Sequence, residues 1–559
     1  MKRASMMWSQ QKMETKMTVY VSKENITFQR IYVLPSGSHI VEISYPKMSG
    51  ETGVAFVNFG DFRNPRKLGA ELFDKGADGA FCEPSNIVAM EESLRTYAAS
   101  EEGRANTIAI LATGWSDDMT SFRLGDLELP SGRRVPVLPG LDTPVLTQAG
   151  TLEEWKNNVA AAACHSSAMM FLISATFVAP TLKLFGIEAG GFGFNLFGKS
   201  SSGKSTALLA AASVFGSTFT GKWNATVTGL EERAQANSDL PFTLDSLEDV
   251  PAASRPAVME TMSYVLSSGS PKLRGKVYET KNGIASRRFR SLVLSTEEDQ
   301  NRPRHRTTGS AVRLIDVFVK PADSSFFGIV DMFPEDVAVE ARAEWAKLFV
   351  KKVEAAVAQQ HGTALEAFVR LLIMHRVKAT ERLKTYKAAF MLRNEFAGLN
   401  SVQNRTLDAF AHVYAAGRLA IDMGTVPWAK ERLLRAVGRC ASTALAKSAD
   451  RAQIGERNAK RLITWLSDPD RRPVDYSTEL AWKEAEGADF IRLEQKRNLW
   501  ALVRGETARR ALRLTVSELT DAAKVLRERG QLVTERPNTP TFQYPVEGVR
   551  RCFYMVVLR

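Results

Sequence analysis

The spacing of apolar and polar residues changes several times along this chain, and each change marks a change of element. Between residues 17 and 60 the two kinds alternate in short runs, as in Ile31-Tyr32-Val33-Leu34 and His39-Ile40-Val41-Glu42-Ile43-Ser44, with Pro35-Ser36-Gly37 between them. A period of two interrupted by turn residues predicts β-hairpins. Residues 61–100 are helical in part, and strand texture returns at 107–112 and 122–137. From Gly150 the pattern is helical, with Thr151 placed as an N-cap and Glu153 and Glu154 in the first turn. The stretch 168–180, AMMFLISATFVAP, is apolar throughout, shorter than a bilayer span and closed by Pro180; it predicts a buried helix.

An apolar strand at 192–197 then runs through a Gly/Ser-rich turn into an alanine-rich helix at 206–214. Further strands are expected at 240–245, 289–296 and 311–319, and residues 331–465 are almost wholly helical in pattern. Pro469 and Pro473 mark a linker. Near the end, Thr515 and Glu518 form a capping box, Leu519, Ala522, Ala523 and Leu526 share one helical face, and Gly530 stops the helix. A short strand, a Pro-rich loop at 537–545 and a final strand at 551–558 follow, and this order predicts a winged helix. The expected organisation is an N-terminal α/β domain over 1–149, an α/β core over 150–330, a helical region over 331–470 and a winged helix over 471–559.

Composition narrows the class. A chain of 559 residues is too long for one core, and 44% hydrophobic content is ordinary for a soluble protein. The net charge of +12 points toward a polyanionic partner. The first residues lack an apolar signal core and no stretch is long enough to cross a bilayer, so a cytoplasmic protein without membrane contact is expected. Cys82, Cys164, Cys440 and Cys552 lie far apart, which suggests neither a zinc site nor a disulfide framework.

The turn after the 192–197 strand carries the clearest chemistry. Gly198 to Ser205 reads G-K-S-S-S-G-K-S, a full match to the G-x-x-x-x-G-K-[ST] phosphate loop, in the strand–turn–helix context that motif requires. Gly198, Ser200, Ser201, Ser202, Gly203 and Thr206 would cradle ATP through backbone N–H groups at a helix N-terminus. Lys204 would reach the β- and γ-phosphates, and Ser205 would hold Mg2+. Downstream, Leu240-Pro241-Phe242-Thr243-Leu244-Asp245 is an apolar strand ending in a carboxylate, the Walker B pattern, with Asp245 as second magnesium ligand. Ser246 follows where most ATPases place a catalytic glutamate, and Glu248 or Asp249 is left to supply that base. The next strand ends at Ser295 and Thr296, either of which fits a polar sensor of the γ-phosphate. Arg313, at the start of the last strand, suits an arginine finger reaching a neighbouring subunit, against the plainer alternative of an ion pair with Asp316.

Between these strands, Lys281-Asn282-Gly283 sits between alternating runs, the strongest short hairpin signal. Lys272, Arg274, Lys276, Lys281, Arg287 and Arg288 make this hairpin basic and suit it to grip the DNA backbone, against the plainer alternative of a solvated surface hairpin. Arg527, Arg529, Arg536, Arg550 and Arg551 give the C-terminal unit a second basic surface, for DNA or for a protein partner.

The segments GTLEEWKNNVA, GFGFNLFGKSSSGKSTALLAAASVFG, WNATVTGLEERAQANSDLPFTLDSL, FRSLVLSTEE and VRLIDV, with Gly114-Trp115 upstream, resemble the domain-of-unknown-function 927 family over roughly residues 20–330. The resemblance implies an AAA+ ATPase of bacteria, phages and mobile elements, similar to MCM-type replicative helicases. Val312-Arg313-Leu314-Ile315-Asp316 is similar to the MCM arginine-finger motif, and Ser401-Val402-Gln403-Asn404-Arg405 resembles the helix bearing its sensor-2 arginine, which adds Arg405 to the ATP contacts. The expectation is a hexameric, ATP- and Mg2+-dependent helicase acting on single-stranded or forked DNA, with replication proteins as further partners. The alternative is a non-translocating DNA-binding ATPase (an initiator, loader or defence switch), which the missing Walker B glutamate favours. A small-molecule P-loop kinase would leave the basic hairpin and winged helix unexplained.

Overall fold

The computed structural model describes residues 27–558 apart from 142, 145, 217, 218, 220, 252, 271–287, 299–307, 320–326, 469–472, 476–488, 496, 497, 515, 535–539, 547 and 548. The described residues fall into two units, the first ending at Val145 and the second beginning at Leu146.

In the first unit the alternating runs pair as expected. β1 (Thr27–Val33), β2 (His39–Pro46) and β3 (Thr52–Asn58) form an antiparallel meander, and β4 (Thr107–Ala109) joins β1 in parallel, giving the order β3-β2-β1-β4. The β1–β2 turn closes through Leu34 N–H to Ser38 O at 2.8 Å, with Gly37 at φ 81°. Period-two alternation gives the sheet two apolar faces. Helices Pro65–Asp74 and Pro84–Ala99 carry their buried residues into one core with Phe28, Ile43 and Val57. Tyr32, Leu34, Ile40, Ile110 and Leu138 form a second cluster. A smaller antiparallel sheet follows, of β5 (Gly114–Trp115), β6 (Phe122–Leu124), β7 (Leu127–Leu129) and β8 (Arg133–Arg134). Trp115 packs edge-on against Phe122 at 5.2 Å. Arg123 is fully buried there because its donors reach Gly125 O at 3.0 Å, Leu111 O at 3.0 Å and Thr143 Oγ1 at 2.5 Å.

The second unit is built on a parallel sheet of β9 (Gly190–Gly198), β10 (Gly221–Lys222), β11 (Pro241–Asp245), β12 (Arg290–Glu298) and β13 (Leu314–Phe318), in the order β10-β11-β12-β9-β13. From β9 the chain crosses to the far edge at β10 and returns strand by strand to β12, then passes β9 to reach β13, so the order reverses beside β9. Ligands of open α/β sheets sit outside the carboxyl ends of the strands at such a reversal. Thr151 is the N-cap, as expected, and it also closes a capping box with Glu154. The apolar run forms helix Ser167–Thr176, with every residue from Met169 to Thr176 buried. Phe171 meets Phe194 of β9 at 4.8 Å and Phe410 at 5.2 Å. Each such aromatic or aliphatic side chain contributes about 1.5–3 kcal/mol by leaving water.

Two boundaries differ from the sequence reading. β12 runs to Glu298, two residues past the expected end, because it stays in register with β9 as far as Gly198. The last strand begins at Leu314, preceded by a helical turn, Thr308–Ala311. The helical region comprises Arg342–Gln359, Thr363–Met374, Arg376–Met391, Ser401–Asp422 and Lys430–Leu466. After it, β14 (Pro473–Asp475), β15 (Phe490–Gln495), β16 (Asn498–Val503), β17 (Leu532–Val533) and β19 (Val549–Val557) form one sheet, and β18 (Phe542–Val546) pairs with β19. Helices Gly505–Leu512 and Val516–Glu528 lie between β16 and β17, and Leu519, Ala522, Ala523 and Leu526 are buried as the helical face required. Thr515, the linker at 469–472 and most of the Pro-rich loop lie outside the described residues.

Candidate phosphate-binding site

β9 ends at Gly198, where a side chain is sterically excluded: a Cβ would lie 2.7 Å from the Val319 carbonyl oxygen. The chain then turns through Lys199 to Ser202 and enters helix Lys204–Ala212 at Gly203. Gly203 has φ 83°, and a Cβ on it would meet Ile329 at 2.8 Å. Ile329 N–H also donates to Ser202 O at 2.9 Å, so the 327–330 segment buttresses the loop from outside. The N–H groups of Ser200, Ser201, Ser202 and Gly203 have no acceptor among the described residues. Unpaired amides gathered at a helix N-terminus fit an anion.

Lys204 is buried, and its ammonium donates to Lys199 O at 2.7 Å and approaches Ser202 Oγ at 3.4 Å. Its charge is thus held within the turn by a carbonyl and a hydroxyl. Ser205 Oγ donates to Asp245 Oδ1 at 3.2 Å. Thr296 Oγ1 donates to the same carboxylate oxygen, and Ser246 N–H points back at Thr296 Oγ1 at 3.4 Å. Asp245 Oδ2 has no partner among the described residues. One hydroxyl beside a carboxylate with a spare oxygen suits a hydrated Mg2+, a hard cation that keeps several waters. Of the two hydroxyls proposed as sensor, Thr296 faces Asp245, while Ser295 donates to Asn195 Oδ1 at 2.8 Å on the other face.

Ser246 adopts a left-handed conformation, φ 60° and ψ 64°, and starts the turn Leu247–Asp249. That turn brings Glu248 Oε2 to 3.4 Å from Glu298 N–H, at the carboxyl end of β12. Asp249 is exposed. Thr206 donates its hydroxyl to Glu354 Oε1 of the helix Arg342–Gln359 at 2.6 Å, so only its backbone faces the loop's side of the helix.

Arg313 stands apart from this group. Its carbonyl accepts from Gly193 N–H at 2.7 Å, near the beginning of β9. At roughly 3.3 Å per residue the loop lies about 20 Å farther along the strand, out of reach of the same chain's Arg313. Its guanidinium donates to Gly309 O at 2.9 Å and lies 4.8 Å from the Tyr264 ring centre. It forms no ion pair with Asp316, which instead accepts from Asn195 Nδ2 at 3.1 Å. Arg405 is exposed in the first turns of Ser401–Asp422 and has no partner among the described residues. Of the hairpin cations, Lys272, Arg274, Lys276, Lys281 and Arg287 lie outside the described residues; Arg288 is described and exposed. In the C-terminal unit, Arg529 pairs with Glu456.

Three features had little or no signal in the sequence. Glu354 comes from a helix about 150 residues away from Thr206. Gly328 and Ile329 act only by contact. Asn195 had a faint signal, as the single amide in an otherwise apolar strand; it is fully buried and links Glu297 Oε2 at 2.9 Å with Asp316 and Ser295.

Residues 68–284 match the model of the family described as "Domain of unknown function (DUF927)". Over that stretch the chain is similar to this family, as its sequence resemblance implied. The match includes the loop and Asp245 and ends before β12 and β13, short of the expected span. A solved structure described as "SCCmec type IV Cch - active helicase" aligns over 95% of this chain and 93% of that one, with TM-score 0.55 and 17% identity. The two chains therefore share a fold along nearly their whole lengths. "The X-ray structure of Inhibitor Bound to JCV Helicase" covers 43% of this chain and 64% of that one at 15% identity and TM-score 0.22, too low for its fold to bear on this one. No curated protein matches the chain. Among the described residues no helix is long and apolar enough to cross a membrane.

Proposed function

We propose that the second unit is an AAA+ ATPase that couples Mg2+-dependent ATP hydrolysis to movement on DNA as a homo-oligomeric, hexameric helicase. The observation that carries this reading is the meeting of Lys204, Ser205, Asp245 and Thr296 outside the carboxyl ends of β9, β11 and β12. Bound here, ATP supplies the γ-phosphoryl group, and Mg2+ neutralises charge that develops on it. The amides of Ser200 to Gly203 and the Lys204 ammonium hold the phosphates, with Lys204 exchanging its turn carbonyl for phosphate oxygen. Ser205 and Asp245 hold the metal, Thr296 senses the γ-phosphate, and Glu248 takes the proton of the attacking water. Arg313 completes the site of the neighbouring copy, in keeping with its distance from its own loop. The exposed Arg288 and the basic residues before it grip the DNA backbone. The helix and strands of 516–557 support a winged helix, and the divisions 1–149, 150–330, 331–470 and 471–559 remain our domain assignment.

Lys204→Ala tests the reading. It should abolish ATP hydrolysis and, with it, strand displacement, because the β,γ-phosphates lose their countercharge. Hydrolysis near the wild-type rate would refute the site. A second reading, a DNA-binding ATPase that assembles without translocating, is favoured by Ser246, which leaves no carboxylate beside Asp245. It is supported instead if ATP hydrolysis is DNA-stimulated while no strand is displaced.

A further inference from the structure

We infer that Tyr264 and Gly309 form a clamp that presets the Arg313 guanidinium for a neighbouring copy of the chain. This rests on the reading of Arg313 as an arginine finger. Arg313 is half-buried, and three contacts fix its head: the Gly309 carbonyl at 2.9 Å, the Tyr264 ring at 4.8 Å, and the bare Gly309 Cα, where a Cβ would lie 3.0 Å from Nη1 and 3.4 Å from Tyr264 Oη. All three partners are uncharged. A carboxylate would orient the guanidinium equally well but would cancel much of the charge that a finger delivers. An aromatic face and a carbonyl orient it and leave its charge available. A cation–π contact also explains why Tyr264, on the helix Arg255–Ser268, stays 44% exposed at the surface. Arg has many rotamers, and holding it ready removes an ordering step from each turnover. Tyr264 is thus a positioning residue, acting through Arg313.

The test is a set of variants read by turnover, ATP affinity and non-additivity. Tyr264→Leu keeps apolar bulk and loses the π face; its kcat should fall roughly threefold to thirtyfold with ATP affinity unchanged. Tyr264→Phe keeps the face and should retain most turnover. Gly309→Ala should lower kcat as well, because its Cβ displaces the guanidinium. In an Arg313→Ala background, Tyr264→Leu should cost nothing further, whereas a merely structural role would add its own loss. If Arg313→Ala is crippled while Tyr264→Leu and Gly309→Ala turn over like wild type, the clamp is refuted and the finger stands. If Arg313→Ala itself turns over normally, the finger reading fails first. Should Tyr264→Leu lose ATP binding, Gly309→Ala still decides: a wild-type kcat in that variant would overturn the clamp.

Discussion

The two faces of the central sheet, at the same carboxyl end, treat polar side chains in opposite ways. Asp316, Asn195 and Ser295 are in register across β13, β9 and β12 and point to one face. Asp245 and Thr296 come one residue later on β11 and β12, and the period of two sends them to the other. On the first face the groups satisfy each other: Asn195 serves Glu297, Asp316 and Ser295, and Asn195, Glu297 and Ser295 are buried. On the second face Ser205 and Thr296 converge on a single oxygen of Asp245 and leave the other free. A closed network holds strands together; an incomplete one at a glycine turn has capacity left for a ligand. Polarity alone does not mark a site. Unspent hydrogen-bonding capacity does, and the two faces should separate under mutation.

The largest effect is expected on the open face. Asp245→Asn should remove Mg2+-dependent turnover, a loss of at least about 10³-fold as expected for a group acting in the transition state. Thermal unfolding should hardly change, because the carboxamide still accepts from Ser205 and Thr296. Glu248→Gln should also lower turnover strongly, and Asp249→Asn should not, since only Glu248 turns back toward β12. A steady-state ATPase assay beside a melting curve checks all three. Marked destabilisation by Asp245→Asn with residual activity would erase the distinction between the faces.

The closed face should show the reverse. Asn195→Ala removes the amide that donates to Glu297 and Asp316 and accepts from Ser295. Losing the donor to the buried Glu297 carboxylate costs about 2–3 kcal/mol, so the urea midpoint should fall clearly. ATP affinity of the folded fraction should stay within a fewfold of wild type. A variant as stable as wild type would show that Glu297 and Asp316 do not depend on Asn195.

These faces also show how much the sequence could reveal. The loop was legible because all its parts are local: the apolar strand, Gly198, Gly203, Lys204 and Ser205 are contiguous, and the helix follows at once. The parallel strands were legible as apolar runs, and the resemblance tied Asp245 to the loop. Register was not legible. Nothing in the text places Asn195 opposite Ser295 and Asp316, each about 100 or more residues away, because strand pairing is decided by packing across the whole sheet. Tyr264 and Glu354 stayed hidden for the same reason: a tyrosine on an amphipathic helix and a glutamate in an alanine-rich one carry no motif. A basic hairpin was expected from the sequence, but most of that segment lies outside the described residues.

The smallest expected effect concerns the amino end of β9, where His412 sharpens the comparison as a polar group that is closed off by apolar neighbours. Its ring lies against Phe185 at 4.4 Å and Phe192 at 5.6 Å, and Nδ1–H donates to Asp408 O at 2.8 Å. Burial, aided by the Lys387 charge and opposed by the Asp408 carboxylate, lowers its pKa to about 4. In the unfolded chain a histidine titrates near about 6.5. Between those values the unfolded state binds the proton and the folded state does not, so stability is full above about pH 6.5 and drains away as pH falls toward 4. The histidine's share of that loss should reach about 2 kcal/mol by pH 5. In His412→Phe the ring slot stays filled and the titration disappears, so the variant should lose less stability than wild type between pH 7 and 5, even if it starts lower for want of the Asp408 hydrogen bond. Urea unfolding at several pH values measures the difference. Parallel pH profiles for the two proteins would mean that His412 is not held neutral, and that the closed surroundings of β9 tolerate a charge.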